Sequence, residues 1–182
     1  MKILFFSDVH GSPEAMKILL ARVKEFAPET TVLLGDALYH GPRNPLPAGY
    51  APPEAVKLLN RLKNSIVAVR GNCDAEVDQL LLEFPIMADY STILTPRARF
   101  FLTHGHLWTA DAPPPLPENT VFAGGHTHIP RLEKLDNGLI AFNPGSIALP
   151  KGGNPPSYGT FDGRELTVRE LATGKPMLML TL

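Results

Sequence analysis

Lys2-Ile3-Leu4-Phe5-Phe6-Ser7, followed at once by Asp8-Val9-His10, is the stretch on which the fold turns. Four large apolar residues in a row, without alternation, predict a short strand covered on both faces. An acid and an imidazole stand where that strand stops. Ser12-Pro13-Glu14-Ala15 then opens a helix, with Ser12 as N-cap and Pro13 at the first helical position. Met16, Leu19, Leu20 and Val23 recur at helical spacing behind it. The cycle repeats. Thr31 to Leu34 predicts a second buried strand, Glu54 to Leu62 a helix, and Ile66 to Val69 a third strand, with a Pro- and Gly-rich loop from Tyr39 to Pro53. Strand and helix in this alternation imply a parallel sheet.

Downstream the pattern becomes hairpins. Ser91 to Leu94 and Arg99 to Thr103 flank Thr95-Pro96-Arg97-Ala98. Leu132 to Leu135 and Leu139 to Phe142 flank Asp136-Asn137-Gly138, and Tyr158 to Phe161 and Glu165 to Arg169 flank Asp162-Gly163. Both are turn signatures between apolar runs. Val121 to Ala123 and Met177 to Leu182 add strands, and the proline-rich Ala112 to Pro117 reads as a surface loop. The expectation is an α/β fold of two sheets packed face to face with helices outside, one domain over residues 1–182. No internal repeat or low-complexity segment interrupts it.

Composition narrows the function. With 17 Lys and Arg against 18 Asp and Glu, the net charge is -1. A general nucleic-acid or membrane-surface binder needs a basic excess or stripe, so stable binding of either kind is not expected. A nucleotide substrate stays open, because metal ions can supply positive charge locally. The one cysteine, Cys73, allows no internal disulfide and suits a reducing cytosol. No run approaches the roughly 20 apolar residues of a membrane helix, and the N-terminal apolar run is too short for a signal peptide. A cytoplasmic protein is expected.

Five polar segments each follow a predicted buried strand: Asp8-Val9-His10, Gly35-Asp36, Gly71-Asn72-Cys73-Asp74, His104-Gly105-His106 and Gly124-Gly125-His126-Thr127-His128. Singly, each is an ordinary turn or surface pair. Together they hold five of the six histidines, all but His40. Carboxyl ends of neighbouring strands converge on one crevice in α/β sheets. Carboxylate, amide oxygen and imidazole suit Mn²⁺, Fe, Zn²⁺, Co²⁺ or Ni²⁺.

In this order the segments resemble the calcineurin-like metallophosphoesterase superfamily. Gly-Asn-Cys-Asp, Thr-His-Gly-His, Gly-His-Thr-His, Asn-Pro-Gly-Ser and His40-Gly41-Pro42-Arg43-Asn44 are similar to the bacterial YfcE-type phosphodiesterases, over Lys2 to about Glu170. The resemblance implies a four-layer α/β/β/α sandwich and a dinuclear metal centre, two divalent cations per chain, with Mn²⁺ foremost. Asp8, His10, Asp36 and His128 would hold one cation, and Asp36, Asn72, His104 and His126 the other. A bridging carboxylate such as Asp36 holds two cations roughly 3.5–4 Å apart, and a shared water becomes a hydroxide nucleophile near neutral pH. The implied activity is hydrolysis of a small-molecule phosphodiester. A phosphomonoesterase is the alternative within enzymes. A protein-interaction scaffold, like the retromer subunit of the same superfamily, is the alternative outside them.

Asp36, Asn72, Cys73, Asp74 and His104 are the candidate catalytic residues. Cys73 stands where most of the superfamily has a histidine that contacts the phosphate or assists the leaving group. Asp74, that histidine's usual orienting neighbour, is present. Cys73 also reads as a small buried packing residue. Arg43 and His106 are candidates for substrate binding. Arg43 reads as a phosphate clamp, since a guanidinium meets phosphate oxygens in pairs, or as a solvated loop arginine. His106 reads as a donor to the site or as a strand-end histidine bonded to backbone. Asn143-Pro144-Gly145-Ser146 reads as a site-shaping loop or a plain turn. Tyr50 and Trp108 read as lining for a base or aryl pocket or, more simply, as loop packing, and His40 as a phosphate contact or, more simply, as a solvated loop residue. The sequence leaves a homo-oligomer open.

Overall fold

The computed structural model describes residues Met1–Leu182. Its elements run β1 (Ile3–Phe6), α1 (Pro13–Phe26), β2 (Thr30–Leu33), α2 (Pro52–Leu59) continued by a 3₁₀ turn (Asn60–Leu62), β3 (Ile66–Ala68), α3 (Glu76–Gln79), β4 (Tyr90–Leu94) and β5 (Arg99–Thr103). Then come β6 (Val121–Ala123), β7 (Arg131–Lys134), β8 (Ile140–Asn143), β9 (Ser157–Phe161), β10 (Glu165–Glu170) and β11 (Pro176–Thr181). One sheet has six strands in the order β11-β10-β9-β1-β2-β3. The other has five, β4-β5-β6-β8-β7. β1, β2 and β3 are parallel, as the strand–helix alternation predicts. All three predicted hairpins close as antiparallel pairs.

Residue parity sorts the core. Leu4, Phe6 and Leu33 face α1 and α2, meeting Met16, Leu19, Ala55 and Leu59. Ile3, Phe5, Val32 and Leu34 face the other way, against Phe100, Leu102, Val121, Ala123, Ile140 and Phe142 of the second sheet. Phe5 packs edge-on to Phe142 with ring centroids 5.1 Å apart. Gly159 permits this approach, since a methyl there would lie 2.4 Å from the Phe142 ring. Burying each such side chain contributes about 1.5–3 kcal/mol, so the inter-sheet layer is a main source of stability. Ser12 caps α1 as expected, its Oγ accepting from Ala15 N at 3.2 Å.

The second sheet's outer face is covered without a helix. Phe101, Phe122 and Ala141 pack there beneath Trp108, Ala110 and Leu116 of the 104–120 segment. The proline run keeps that segment irregular. α3 is an element the sequence patterning did not indicate; four residues are too few to show a period.

Candidate metal centre

The five polar segments lie at the ends of β1, β2, β3, β5 and β6, and both sheets deliver them to one place. The loops are stitched to one another. Asp8 N donates to Gly35 O at 3.1 Å, and Val9 N and His10 N both donate to Asp36 O at 3.0 Å. Gly125 N donates to His104 O at 2.7 Å. Across the seam between the sheets, His126 N donates to Asp8 Oδ2 at 3.1 Å. Five of the seven non-glycine residues at positive φ are Asp8, His10, Asp36, His126 and His128. Such backbone is costly and persists where the surroundings over-determine it, commonly at functional sites.

Three of the imidazoles are aimed by a neighbouring loop's backbone. His10 Nδ1 lies 2.7 Å from Tyr39 O, His104 Nδ1 2.6 Å from Leu34 O, and His128 Nδ1 2.6 Å from Leu149 O. A carbonyl only accepts, so each Nδ1 carries the hydrogen and each Nε2 is turned inward. The inward atoms converge. His10 Nε2 is 3.3 Å from His128 Nε2. Asp8 Oδ1 is 3.3 Å from His128 Nε2, and Asp36 Oδ2 is 3.4 Å from His104 Nε2 and 3.7 Å from His10 Nε2. Asn72 Oδ1 lies 3.1 Å from His104 Nε2 and 2.7 Å from His126 Nδ1. All seven residues put forward as ligands therefore share this cluster, with Asp36 between the two groups.

A cation fits them. Asp8 Oδ1 is buried and has no hydrogen-bond partner, a costly state for a carboxylate oxygen. Asp8, His10 and His128 have ligand atoms close enough to hold one ion, as do Asp8, Asp36 and His104.

The electrostatics agree. Burial, the largest influence on Asp36, disfavours its charge, yet His104, the Cys73 amide and His10 hold its carboxyl below the usual range. Asp8 is also held low against burial, by His128 and His104. Burial works against a charged His104 as well, but Asp36 and Asp8 raise it to about 9. Burial lowers His10, and burial with the neighbouring His104 charge lowers His126. The metal-free cluster therefore keeps a proton on His104.

The remaining candidates divide. Asp74 is buried and reaches no side chain at position 73. Its oxygens accept from Asp36 N (2.9 Å), Ala37 N (2.7 Å) and Gly71 N (2.7 Å). It acts on the site by shaping the Asp36 turn. Cys73 N donates to Asp36 Oδ1 at 2.8 Å, and burial with the Asp36 charge pushes the thiol up to about 12. Cys73 and Arg43 line a cleft of about 490 Å³ above Asp36. His106 has its ring 5.4 Å from that of His104, and its Nδ1 is buried without a partner. Asn143 and Ser146 brace the site. Asn143 Nδ2 donates to Gly125 O at 2.7 Å, and Ser146 Oγ to Asp8 O at 2.8 Å. His40 sits between Tyr39 and Tyr50, and Trp108 packs on Phe101, so all three aromatic candidates serve loop packing. Lys151, which sequence reasoning passed over, lines the same cleft.

A family model described as the calcineurin-like phosphoesterase superfamily domain matches residues 1–165. The chain belongs to this superfamily. Within it, the chain is 48% identical over 168 residues to Phosphodiesterase YfcE of Escherichia coli (strain K12), covering 92% of this chain and 91% of that protein. The solved structure of Yfce, a phosphoesterase from E. coli, superposes with a TM-score of 0.96 at 46% identity, over 100% of this chain and 99% of the other. Vps29 of Entamoeba histolytica, solved with Zn²⁺, shares the fold at a TM-score of 0.62 and 20% identity, over 100% of this chain and 99% of the other. The calcineurin-like phosphoesterase fold is thus the α/β, two-sheet arrangement expected from the sequence, and the superfamily implies divalent metal ions. No helix is long and apolar enough to cross a membrane.

Proposed function

We propose that the chain is one metallophosphoesterase domain that hydrolyses a phosphodiester in a small molecule with the help of two divalent cations. Asp8, His10, Asp36 and His128 would hold one, and Asp36, Asn72, His104 and His126 the other. The observation that carries this reading is the buried, unpartnered Asp8 Oδ1 facing imidazoles whose Nδ1–H groups are already committed to carbonyls. When bound, the cations supply Lewis-acid polarisation of the phosphoryl group and lower the pKa of water to near neutral.

The chain's own residues do the remainder. Backbone carbonyls fix the three Nδ1–H tautomers, so His10, His104 and His128 present Nε2 lone pairs once His104 has given up its proton. Asp74 holds the Asp36 turn. Arg43 stands over the cleft, where its guanidinium can meet the oxygens of an anionic group of the substrate in pairs. Cys73 stays a thiol and offers the leaving oxygen only a weak S–H donor. Nitrogen-rich coordination favours Mn²⁺ or another transition metal over Ca²⁺. The likeness to Phosphodiesterase YfcE supports the diester, and the lone free cysteine supports a cytoplasmic setting.

The test is metal-stripped protein restored with Mn²⁺, Zn²⁺, Ni²⁺, Co²⁺, Fe²⁺ or Ca²⁺ and offered matched nitrophenyl mono- and diesters. Diester turnover restored by Mn²⁺ or another transition metal, and not by Ca²⁺, is expected. Turnover of the monoester alone would make the chain a phosphomonoesterase, and full activity in excess chelator would remove the metals from the reaction.

A further inference from the structure

We propose that Lys151 and Arg43 form a second anion subsite, so that the phosphodiester taken by this site carries a carboxylate or a further phosphate on the alcohol it retains. The proposal rests on the phosphodiesterase reading above and specifies its substrate class.

The cleft is lined by the Gly41–Pro45 loop, by His126, Thr127, His128 and Lys151, and by Asp36, Asn72 and Cys73. Leaving the imidazoles aside, its charged lining is Asp36, Arg43 and Lys151. Asp36 is committed to the metal floor. Arg43 and Lys151 have no acid to pair with in the cleft wall, where Asp36 is the one carboxylate.

Both cations are carried on held backbone. Lys151 N donates to the carbonyl of His128 at 3.2 Å, while His128 Nδ1 is tied to Leu149 O at 2.6 Å. Residue 151 is thus docked on a candidate ligand by the two ends of one short loop. Its carbonyl accepts from Asn154 Nδ2 at 2.9 Å, and Gly152 and Gly153, both at positive φ, turn the chain back directly after it. In the Gly41–Pro45 loop, Gly41 lies against Cys73, where a methyl would be 3.1 Å from the sulfur. Asn44 Nδ2 donates to His40 O at 2.9 Å, and prolines stand at 42 and 45.

Charge then selects the ligand. Two divalent cations against Asp8 and Asp36 leave two positive charges on the floor, which a diester monoanion and a deprotonated water cancel. Arg43 and Lys151 are in excess of that balance. A simple neutral ester arm would leave both exposed cations to solvent. A carboxylate or phosphate on that arm supplies the missing negative charge and acceptors for charge-assisted bonds.

The experiment uses four p-nitrophenyl phosphodiesters with one leaving group and different retained alcohols: ethyl, 2-carboxyethyl, 2-phosphoethyl and choline. All are run on the Mn²⁺-loaded protein at physiological salt. The native protein is expected to prefer the two anionic probes over ethyl by about tenfold in kcat/KM, with choline poorest. The better of the two names the anion. Lys151→Met should cut the preference about tenfold, and Lys151→Glu should reverse it in favour of choline. Calorimetry with the products ethyl phosphate and 2-carboxyethyl phosphate gives a reading without turnover: about tenfold tighter binding of the carboxylate product to the native protein, lost in Lys151→Met with metal content and thermal unfolding unchanged. A native protein that turns over the ethyl probe with no preference for anions overturns the subsite alone. So does a preference that both Lys151 variants retain, which marks a general field. Turnover of none of the four probes would overturn the phosphodiesterase reading and the subsite with it.

Discussion

The floor and the rim of this cleft are built in opposite ways. On the floor, Asp8, His10, Asp36, His104 and His128 are at most 2% exposed, and each is braced by a neighbouring loop. On the rim, Arg43 and Lys151 are exposed and rest on fixed backbone with free side chains. The floor spends backbone strain on positioning, with four of those five residues at positive φ. The rim stores none in its charged residues. Braced candidate ligands beneath exposed cationic side chains would suit a site of constant chemistry whose substrate arm enters and leaves.

Breaking the floor should therefore cost most. Asp36→Asn removes charge from both proposed coordination groups, and a loss of about 10³-fold or more in kcat is expected, exceeding that of Asp8→Asn. Turnover together with metal content checks it. Near-native rates with two metals in Asp36→Asn would end the bridging role.

Position 73 is where floor meets rim. Cys73→His should raise kcat on poor, high-pKa leaving groups by up to about 10²-fold, the order of general acid help. Cys73→Ala should change little. A leaving-group series on the three forms reads this out, and a metal-loaded Cys73→Ala protein that is nearly dead would show the thiol itself to be catalytic.

Gly71→Ala tests whether the floor is as rigid as described, without replacing a candidate ligand. A methyl there would lie 2.1 Å from Asp36 Oδ1 and 2.3 Å from Asp36 N. Metal affinity should fall about 10–100-fold, with about 1–3 kcal/mol of stability lost to overpacking. Calorimetric metal binding and denaturant unfolding check both numbers. Native affinity would mean that the Asp36 turn gives way freely.

The His104 proton sets a pH dependence. Its pKa is raised to about 9 in the metal-free cluster, and a ligating imidazole must be neutral. Metal uptake near pH 7 should release about one proton from His104. Affinity should weaken about tenfold for each pH unit below 9 and level off above it. In the metal-free protein, the stability tied to this proton is full below about 6.5 and is lost as pH rises through 9. Calorimetry in buffers of different ionisation enthalpy counts the proton, and an affinity flat between pH 7 and 9 would place it elsewhere.

The rim should yield the smallest effect. Arg43→Ala is expected to raise KM several-fold, up to about tenfold, with metal content unchanged. An unmoved KM and kcat would return Arg43 to the solvated surface.

The floor was legible in the sequence because its residues sit where strands stop, and a buried apolar run ending in Asp-x-His or Gly-His-x-His announces both at once. Asp74 was legible as a residue but not as a clamp, since its partners Asp36 N and Ala37 N lie 38 and 37 residues away. Lys151 carried no signal. A lysine before Gly-Gly reads as a solvated loop until His128 is seen to dock it. The 104–120 cover over the second sheet was equally silent, because Trp108, Ala110 and Leu116 reach Phe101 and Phe122 at no regular period. α3 offered four residues and no pattern.

Because the candidate ligands come from strand ends in both sheets, a bound cation would also be a cross-link. His10 and His128 stand 118 residues apart in the chain and 3.3 Å apart at their Nε2 atoms. Joining them closes a loop that the unfolded chain would otherwise leave open, and such closure is entropically large. An ion present at a hundred times its Kd would then favour the folded chain by about 2.7 kcal/mol. The centre would serve as a clasp on the seam between the two sheets, and cation supply would govern the lifetime of the folded chain as well as its turnover.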